Sequence, residues 1–188
     1  MTSLKTLLGA SAIALGLAAC GEAGTAAPVD AVAECPADQW LTLADYDGDD
    51  VPAFSDDAGF LAENGARDGV TTTESGLQYK VVQEGVPGGI SPARTDPVTV
   101  HYHGYFPDGR MFDSSYERGD TIAFQPGQVI PGWTEALMDM EVCEARILYI
   151  PGDLAYGQRG SRGIPPGATL LFNVQMLGVD APVTAETE

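Results

Sequence analysis

From Gly76 onward the chain runs in short apolar stretches broken by glycine and proline, a pattern of strands and turns. LQYKVVQEG (77–85) alternates apolar and polar positions and closes on Gly85. VPGGISPARTD (86–96) is rich in Pro and Gly and predicts a loop. PVTVHYHGYF (97–106) is a β-branched and aromatic run, after which Pro107-Asp108-Gly109 turns the chain. MFDSS (111–115) opens the next strand, and TIAFQPG (121–127) is a short one ending at Pro126-Gly127. GWTEALMDM (132–140) is the helical stretch of this region, with Trp133, Leu137 and Met140 at i, i+4 and i+7 on one face. CEARILYIP (143–151) predicts a strand, GDLAYGQRGSRGIPPG (152–167) a long loop and ATLLFNVQMLGV (168–179) the last strand. Upstream, DAGFLAENGARDG (57–69) predicts one short helix ending near Gly65 or Gly69. Many antiparallel strands with one short helix predict an α+β domain. A sheet covered on one face by that helix would bury Trp133.

Composition and charge narrow the setting. The 188 residues include 27 acidic and 9 basic side chains, a net charge of −18, and 44% are hydrophobic. A domain of ordinary size with a buried core is affordable at that length. Such acidity opposes nucleic-acid phosphates, so no nucleic-acid partner is expected. The first twenty residues, MTSLKTLLGASAIALGLAAC, place one lysine before an apolar run too short for an ordinary membrane span, as in a secretory signal. Leu17-Ala18-Ala19-Cys20 resembles a bacterial lipobox. The expectation is a signal peptide over 1–19, cleavage before Cys20 and several acyl chains on that cysteine, enough for stable membrane anchoring. The location is then the bacterial cell envelope facing the periplasm. Glu22 stands where an aspartate resembles an inner-membrane retention signal, which favours the outer membrane. Residues 20–34 are small and polar and predict a flexible tether. An acidic extension with a short helix follows over 35–73, the main domain spans 74–180, and 181–188 is a disordered tail. Outside the cytoplasm Cys35 and Cys143 can pair, tying extension to domain. The alternative is two separate thiols, with Cys143 a small buried hydrophobe.

Four chemistries deserve weighing. His101 and His103 share one strand face, but they are the only histidines. A zinc site would need a carboxylate or Cys143 as third ligand, so no metal is expected there. DYDGDDVPAFSD (45–56) has Asp at the first, third and fifth positions of a calcium loop. It lacks the glycine at the sixth (Asp50), the apolar residue at the eighth (Pro52) and the glutamate at the twelfth (Asp56), so an acidic solvated loop is preferred. Ser114, Ser115 and Ser161 lie in no nucleophile elbow. The fourth chemistry is an apolar pocket. Tyr102 faces away from the two histidines, and Phe112, Phe124, Trp133, Tyr156, Ile164 and Phe172 follow on later elements with Asp113 and Arg118 among them. From spacing alone an ordinary hydrophobic core is preferred.

Four motifs decide the direction. VHYHGYFPDGRMFDSSYERG, FQPGQVIPGWTEAL, LYIPGDLAYG and GIPPGATLLFNVQML resemble, in order, the FKBP-type peptidyl-prolyl isomerases, and with SGLQYKVVQEG they cover residues 76–179. FLAENGARDGV is similar to the start of the secreted bacterial branch. The resemblance implies a twisted antiparallel half-barrel sheet wrapped around a short helix at Gly132–Asp139. It implies rotation about X–Pro bonds without a nucleophile or cofactor. By the same resemblance Trp133 floors the site and Tyr102, Phe112, Phe124, Ile130 and Phe172 wall it. Asp113 is the acid beside the reacting amide, and the Tyr156 hydroxyl binds a ligand carbonyl. The Val129 and Ile130 backbone contacts ligand, Ile164 sits at the rim, and Arg118 orients the acid–tyrosine cluster. Ile122 stands where eukaryotic members often carry an aromatic residue. Implied partners are exported proteins with X–Pro bonds, and macrolides as a further ligand class. The shortness of the extension favours a monomer. The alternative function is a membrane-tethered holdase or assembly adapter with weak catalysis.

Overall fold

The computed structural model describes residues 33–46, 57–87 and 89–180. The signal, Cys20, most of the tether, most of the acidic 45–56 loop and the C-terminal tail lie outside the described residues.

Among the described residues, eight strands and three α-helices occur in the order β1 (Ala33–Glu34), α1 (Asp57–Asn64), β2 (Val70–Thr72), β3 (Gln78–Gln83), β4 (Val98–Tyr105), β5 (Met111–Ser114), α2 (Ser115–Arg118), β6 (Ile122–Phe124), α3 (Pro131–Asp139), β7 (Ala145–Ile150) and β8 (Leu170–Val179). All pairings are antiparallel, and the main path across the sheet is β2-β3-β7-β8-β4-β5. β6 pairs with the first half of β4, beside β5, and β1 pairs with the end of β8. This is the expected α+β architecture. No helix among the described residues is long and apolar enough to cross a membrane.

α3 begins with proline at its first position, where the missing N–H costs nothing. Nine residues are too few for a stable helix in isolation, so packing holds it. Trp133, Ala136, Leu137 and Met140 are buried against Val98, Val100 and Tyr102 of β4, Leu148 and Ile150 of β7, and Phe172 and Val174 of β8. A Cβ on Gly132 would stand 2.6 Å from Ile150 Cγ2, so only glycine lets the helix lie this close to β7. At the other end, the buried Arg146 donates to the Asp139 carbonyl (3.2 Å) and carboxylate (2.7 Å), pairs with buried Glu144, and stacks on Tyr79 at 4.3 Å. A cation on the last carbonyls is the favourable sign for a helix C-terminus.

The structure corrects four sequence expectations. The sheet is covered on both faces, not one. β7 and β8 are buried along their whole lengths because Tyr46 and Phe60 of the extension pack on Ala145, Ile147, Tyr149 and Leu171. Buried glutamines fasten this cap. Gln175 accepts from Leu41 N (2.8 Å) and donates to Gln39 O (2.8 Å), while Gln78 donates to Leu61 O (2.9 Å). Strand structure begins before Gly76, since Val70–Thr72 pairs with β3; the β-branched run VTTT before Glu74-Ser75-Gly76 was its signal. Ala33 and Glu34, expected at the end of the tether, are strand residues paired with Val179 and Gly178. Finally, Ser115–Arg118 is a helical turn. Ser114 caps it by accepting from Glu117 N at 3.3 Å, and Gly119 closes it at φ 72°. Ser114 and Glu117 have the spacing of a capping box, a signal that alternation alone concealed. Cys35 and Cys143 form a disulfide across 108 residues, with Cα atoms 4.9 Å apart.

Candidate active site

β4 alternates buried and half-buried positions along all eight residues. Val98, Val100 and Tyr102 therefore face α3, and His101 and His103 face away. His101 Nδ1 lies 2.7 Å from Ser115 Oγ and its ring stacks on Tyr116 at 4.4 Å. Burial pushes both imidazoles below their ordinary range. Among the described residues no group of three or more His, Cys, Asp or Glu is placed to hold a metal.

On the α3 side lies a cavity of about 760 Å³. Trp133, only 5% exposed, forms its floor. Phe172 meets the indole edge-on at 5.1 Å and Tyr102 edge-on at 5.5 Å, while Phe124 lies tilted against it at 5.6 Å. Phe112 stands edge-on to Phe172 at 5.4 Å. Aromatic rings crossing at steep angles match their positive edges to negative faces and hold a rigid concave wall.

A β-bulge shapes this wall. Gly104 pairs with Asp113 and Tyr105 with Met111, leaving Phe112 as the extra residue. In a regular strand Phe112 and Asp113 would point to opposite faces; the bulge re-aims one of them, and both line the cavity. Gly104 itself is a site residue that the sequence did not reveal. A Cβ there would stand 2.7 Å from Phe112 and 2.8 Å from Phe172, so the missing side chain is what lets both rings close on β4.

The polar end of the cavity is one triangle. The Tyr102 hydroxyl donates to Asp113 Oδ2, Arg118 Nη1 donates to Asp113 Oδ1, and Arg118 Nη2 donates to the Tyr102 oxygen at 3.0 Å. Burial pushes the Asp113 carboxyl up. The hydrogen bonds from Tyr102 and Arg118 outweigh it and hold the group below its ordinary range. Burial and the bond to Asp113 push the Tyr102 hydroxyl up. At neutral pH the aspartate is charged and the tyrosine protonated. Both carboxylate oxygens are engaged, a poor arrangement for a proton acceptor and a good one for a fixed negative charge. The Asp113–Arg118 pair is nearly half exposed on each side, so it contributes little to stability. Its effect is orientation.

Every residue expected at the pocket lines this cavity except Arg118, which reaches Asp113 and Tyr102 from outside the lining. Tyr156 is 41% exposed at the mouth, with Val129 and Ile130 on the segment entering α3 and Ile164 on a tight turn bridged to Ser161. Phe106, Arg110, Met111, Ser161 and Arg162 also line it and were not anticipated. The tilted contact of Phe106 with Phe112 at 5.1 Å brings together turn and strand residues that no periodicity relates.

Residues 88–177 match the family described as FKBP-type peptidyl-prolyl cis-trans isomerase, and residues 53–81 match the domain described as amino-terminal to it. The chain is 44% identical over 142 residues to an FKBP-type peptidyl-prolyl cis-trans isomerase FkpA of Aeromonas hydrophila, covering 76% of this chain and 52% of that one. It is 50% identical over 121 residues to the FKBP-type 22 kDa peptidyl-prolyl cis-trans isomerase of Escherichia coli strain K12, covering 64% of this chain and 58% of that one. The chain thus spans little more than half the length of these relatives. A solved peptidyl-prolyl cis-trans isomerase from Pseudomonas syringae pv. tomato superposes with a TM-score of 0.62 at 33% identity, over 71% of this chain and 100% of that one. With the aromatic cavity, the family match over residues 88–177 and a relative covered in full, the chain belongs to the FKBP-type peptidyl-prolyl cis-trans isomerase family.

Proposed function

We propose that the protein catalyses cis–trans isomerisation of X–Pro bonds in exported polypeptides, from a lipid anchor at Cys20 on the periplasmic face of the bacterial envelope. The observation that carries this reading is the aromatic cavity over Trp133 with a single ionised carboxylate at its polar end. Amide rotation is opposed by resonance, a barrier of ~18–20 kcal/mol, and resonance is lost as the bond twists. A catalyst need only favour the twisted amide over the planar one. Trp133, Phe112, Phe124 and Phe172 seat the proline ring and remove water from the amide, which favours the less polar twisted form. Asp113 supplies a fixed charge beside the reacting carbonyl carbon, held by Tyr102 and Arg118. The exposed Tyr156 hydroxyl donates to a substrate carbonyl at the mouth, with the Val129 and Ile130 backbone and Ile164 completing the contact. A ~10³-fold acceleration needs about 4 kcal/mol, within reach of these effects together. No cofactor takes part. Macrolides are a second ligand class for the same cavity, and the protein acts as a monomer. The Cys35–Cys143 disulfide suits an oxidising compartment.

Proline-limited refolding of a model protein tests the reading. Substoichiometric purified protein should accelerate the slow phase, and Asp113→Ala should lower turnover about tenfold or more, about 1.4 kcal/mol, with a smaller loss of peptide affinity. No acceleration by folded protein that still binds unfolded chains would establish the holdase or adapter instead.

A further inference from the structure

We propose that the mouth of this cavity selects prolyl segments carrying an acidic side chain next to the isomerising bond, with Arg162 as the specificity-determining residue. The inference deepens the isomerase reading and rests on it for the identity of the bound bond.

It starts from a local reversal of charge. The chain carries −18 overall and has only nine basic residues. Yet the charged side chains lining the cavity are Arg110, Arg162 and Asp113. Asp113 is neutralised by Arg118, which leaves the mouth positive. The two lining arginines are not equivalent. Arg110 holds Asp108 through Nε at 2.7 Å and lies over the Phe106 ring at 5.0 Å, so its charge is largely answered within the protein. Arg162 is exposed and has no ion pair, hydrogen bond or ring contact among the described residues. Its backbone is nonetheless well placed. It sits in the turn closed by Ser161 N to Ile164 O at 3.0 Å and Ile164 N to Ser161 O at 2.9 Å, beside Gly163 at φ 83°. An unanswered guanidinium on a pinned turn, at the lip of an apolar cavity, is a place for a carboxylate that the ligand brings. Arginine suits it because its planar fork accepts a carboxylate in two parallel bonds.

The described part of the acidic extension does not cancel this preference. Tyr46 and Phe60 anchor it to the outer face of β7 and β8, whereas Phe172 and Trp133 line the cavity on the inner face. Exposed charges farther apart than a Debye length, roughly 8 Å at physiological salt, are largely screened, so groups at the mouth decide.

The test uses matched X–Pro peptides with Glu, Gln or Lys at each position flanking the bond. Both Kd and kcat/KM are read on the purified protein. At one or more positions Glu should be favoured over Lys by about five- to tenfold, the scale of an exposed charge pair gained in one case and a repulsion added in the other. The ratio should fall toward one in 1 M salt. Arg162→Glu should invert the order, Arg162→Lys should keep a reduced preference, and Arg162→Gln should bring the ratio close to one; melting temperatures of the three check that the fold is intact. Equal handling of Glu and Lys peptides by the parent at every position, or a preference that survives Arg162→Glu, overturns the proposal while leaving turnover, and so the isomerase reading, standing. A Glu preference in Kd without turnover of any peptide supports the proposal and removes the isomerase reading instead.

Discussion

Replacing Gly104 with alanine tests how the cavity wall is built. The new Cβ would stand 2.7 and 2.8 Å from carbons of Phe112 and 2.8 Å from a carbon of Phe172. Carbon atoms rest comfortably at roughly 3.5–4.0 Å, so the rings must retreat by about 0.7 Å or more. Phe172 has little room, being buried and braced by Trp133 at 5.1 Å. Overpacking of this kind costs ~1–3 kcal/mol. In a chain of this length that lowers the melting temperature by roughly 2–12 °C. The displaced rings are those that would seat the proline, so kcat/KM should fall on the order of tenfold to a hundredfold. Adding Phe112→Leu removes the ring on one side and should recover part of the stability, a coupling of about 0.5 kcal/mol or more in a double-mutant cycle. Thermal unfolding and peptide titration read the two effects. A Gly104→Ala protein melting within roughly 1 °C of the parent, with unchanged peptide affinity, would refute the argument that the missing Cβ closes the wall.

Three further expectations follow from other parts of the fold. Removing the disulfide with Cys35→Ser and Cys143→Ser opens a loop of 108 residues, and the chain-entropy relation gives a loss of up to about 4.8 kcal/mol; urea unfolding with and without reductant checks it, the reductant lowering the parent and leaving the double variant unchanged. Phe60→Ala empties a fully buried site under the cap and should cost ~3–5 kcal/mol, while peptide affinity in the folded protein stays at the parent value because the cavity lies on the other face of the sheet. For pH, the folded histidines His101 and His103 titrate below the ordinary 6.5. Their contribution is complete above that value and is lost as pH falls through the lower folded pKa, so melting temperature should decline below about pH 6.5 and His101→Gln should flatten the decline. Asp113, also held low, keeps its charge over this range, and peptide binding should be level from about pH 8 to 5.

Much of the site was legible because some of its geometry is local. Period-two alternation in VTVHYHGY is enough to send Tyr102 inward and the histidines outward. The spacing of Trp133, Leu137 and Met140 is enough to give α3 one buried face. What alternation could not show is where it is interrupted. The bulge that leaves Phe112 unpaired depends on the register between β4 and β5, and Ser115–Arg118 turns helical through a cap rather than through periodicity.

The chain by itself determined the main strands from Gln78 to Val179, which face of β4 is apolar, and that an acidic front segment precedes them. Those properties follow from backbone sterics and side-chain period over a few residues. Only the tertiary structure decided that Tyr102, Asp113 and Arg118 meet in one triangle, that Gly104 makes room for two rings, and that Tyr46 and Phe60 cover the outer face of β7 and β8. Each of these depends on groups from different elements arriving at one point. That meeting is set by strand register and by the burial gained when the layers close, which no short window of sequence contains.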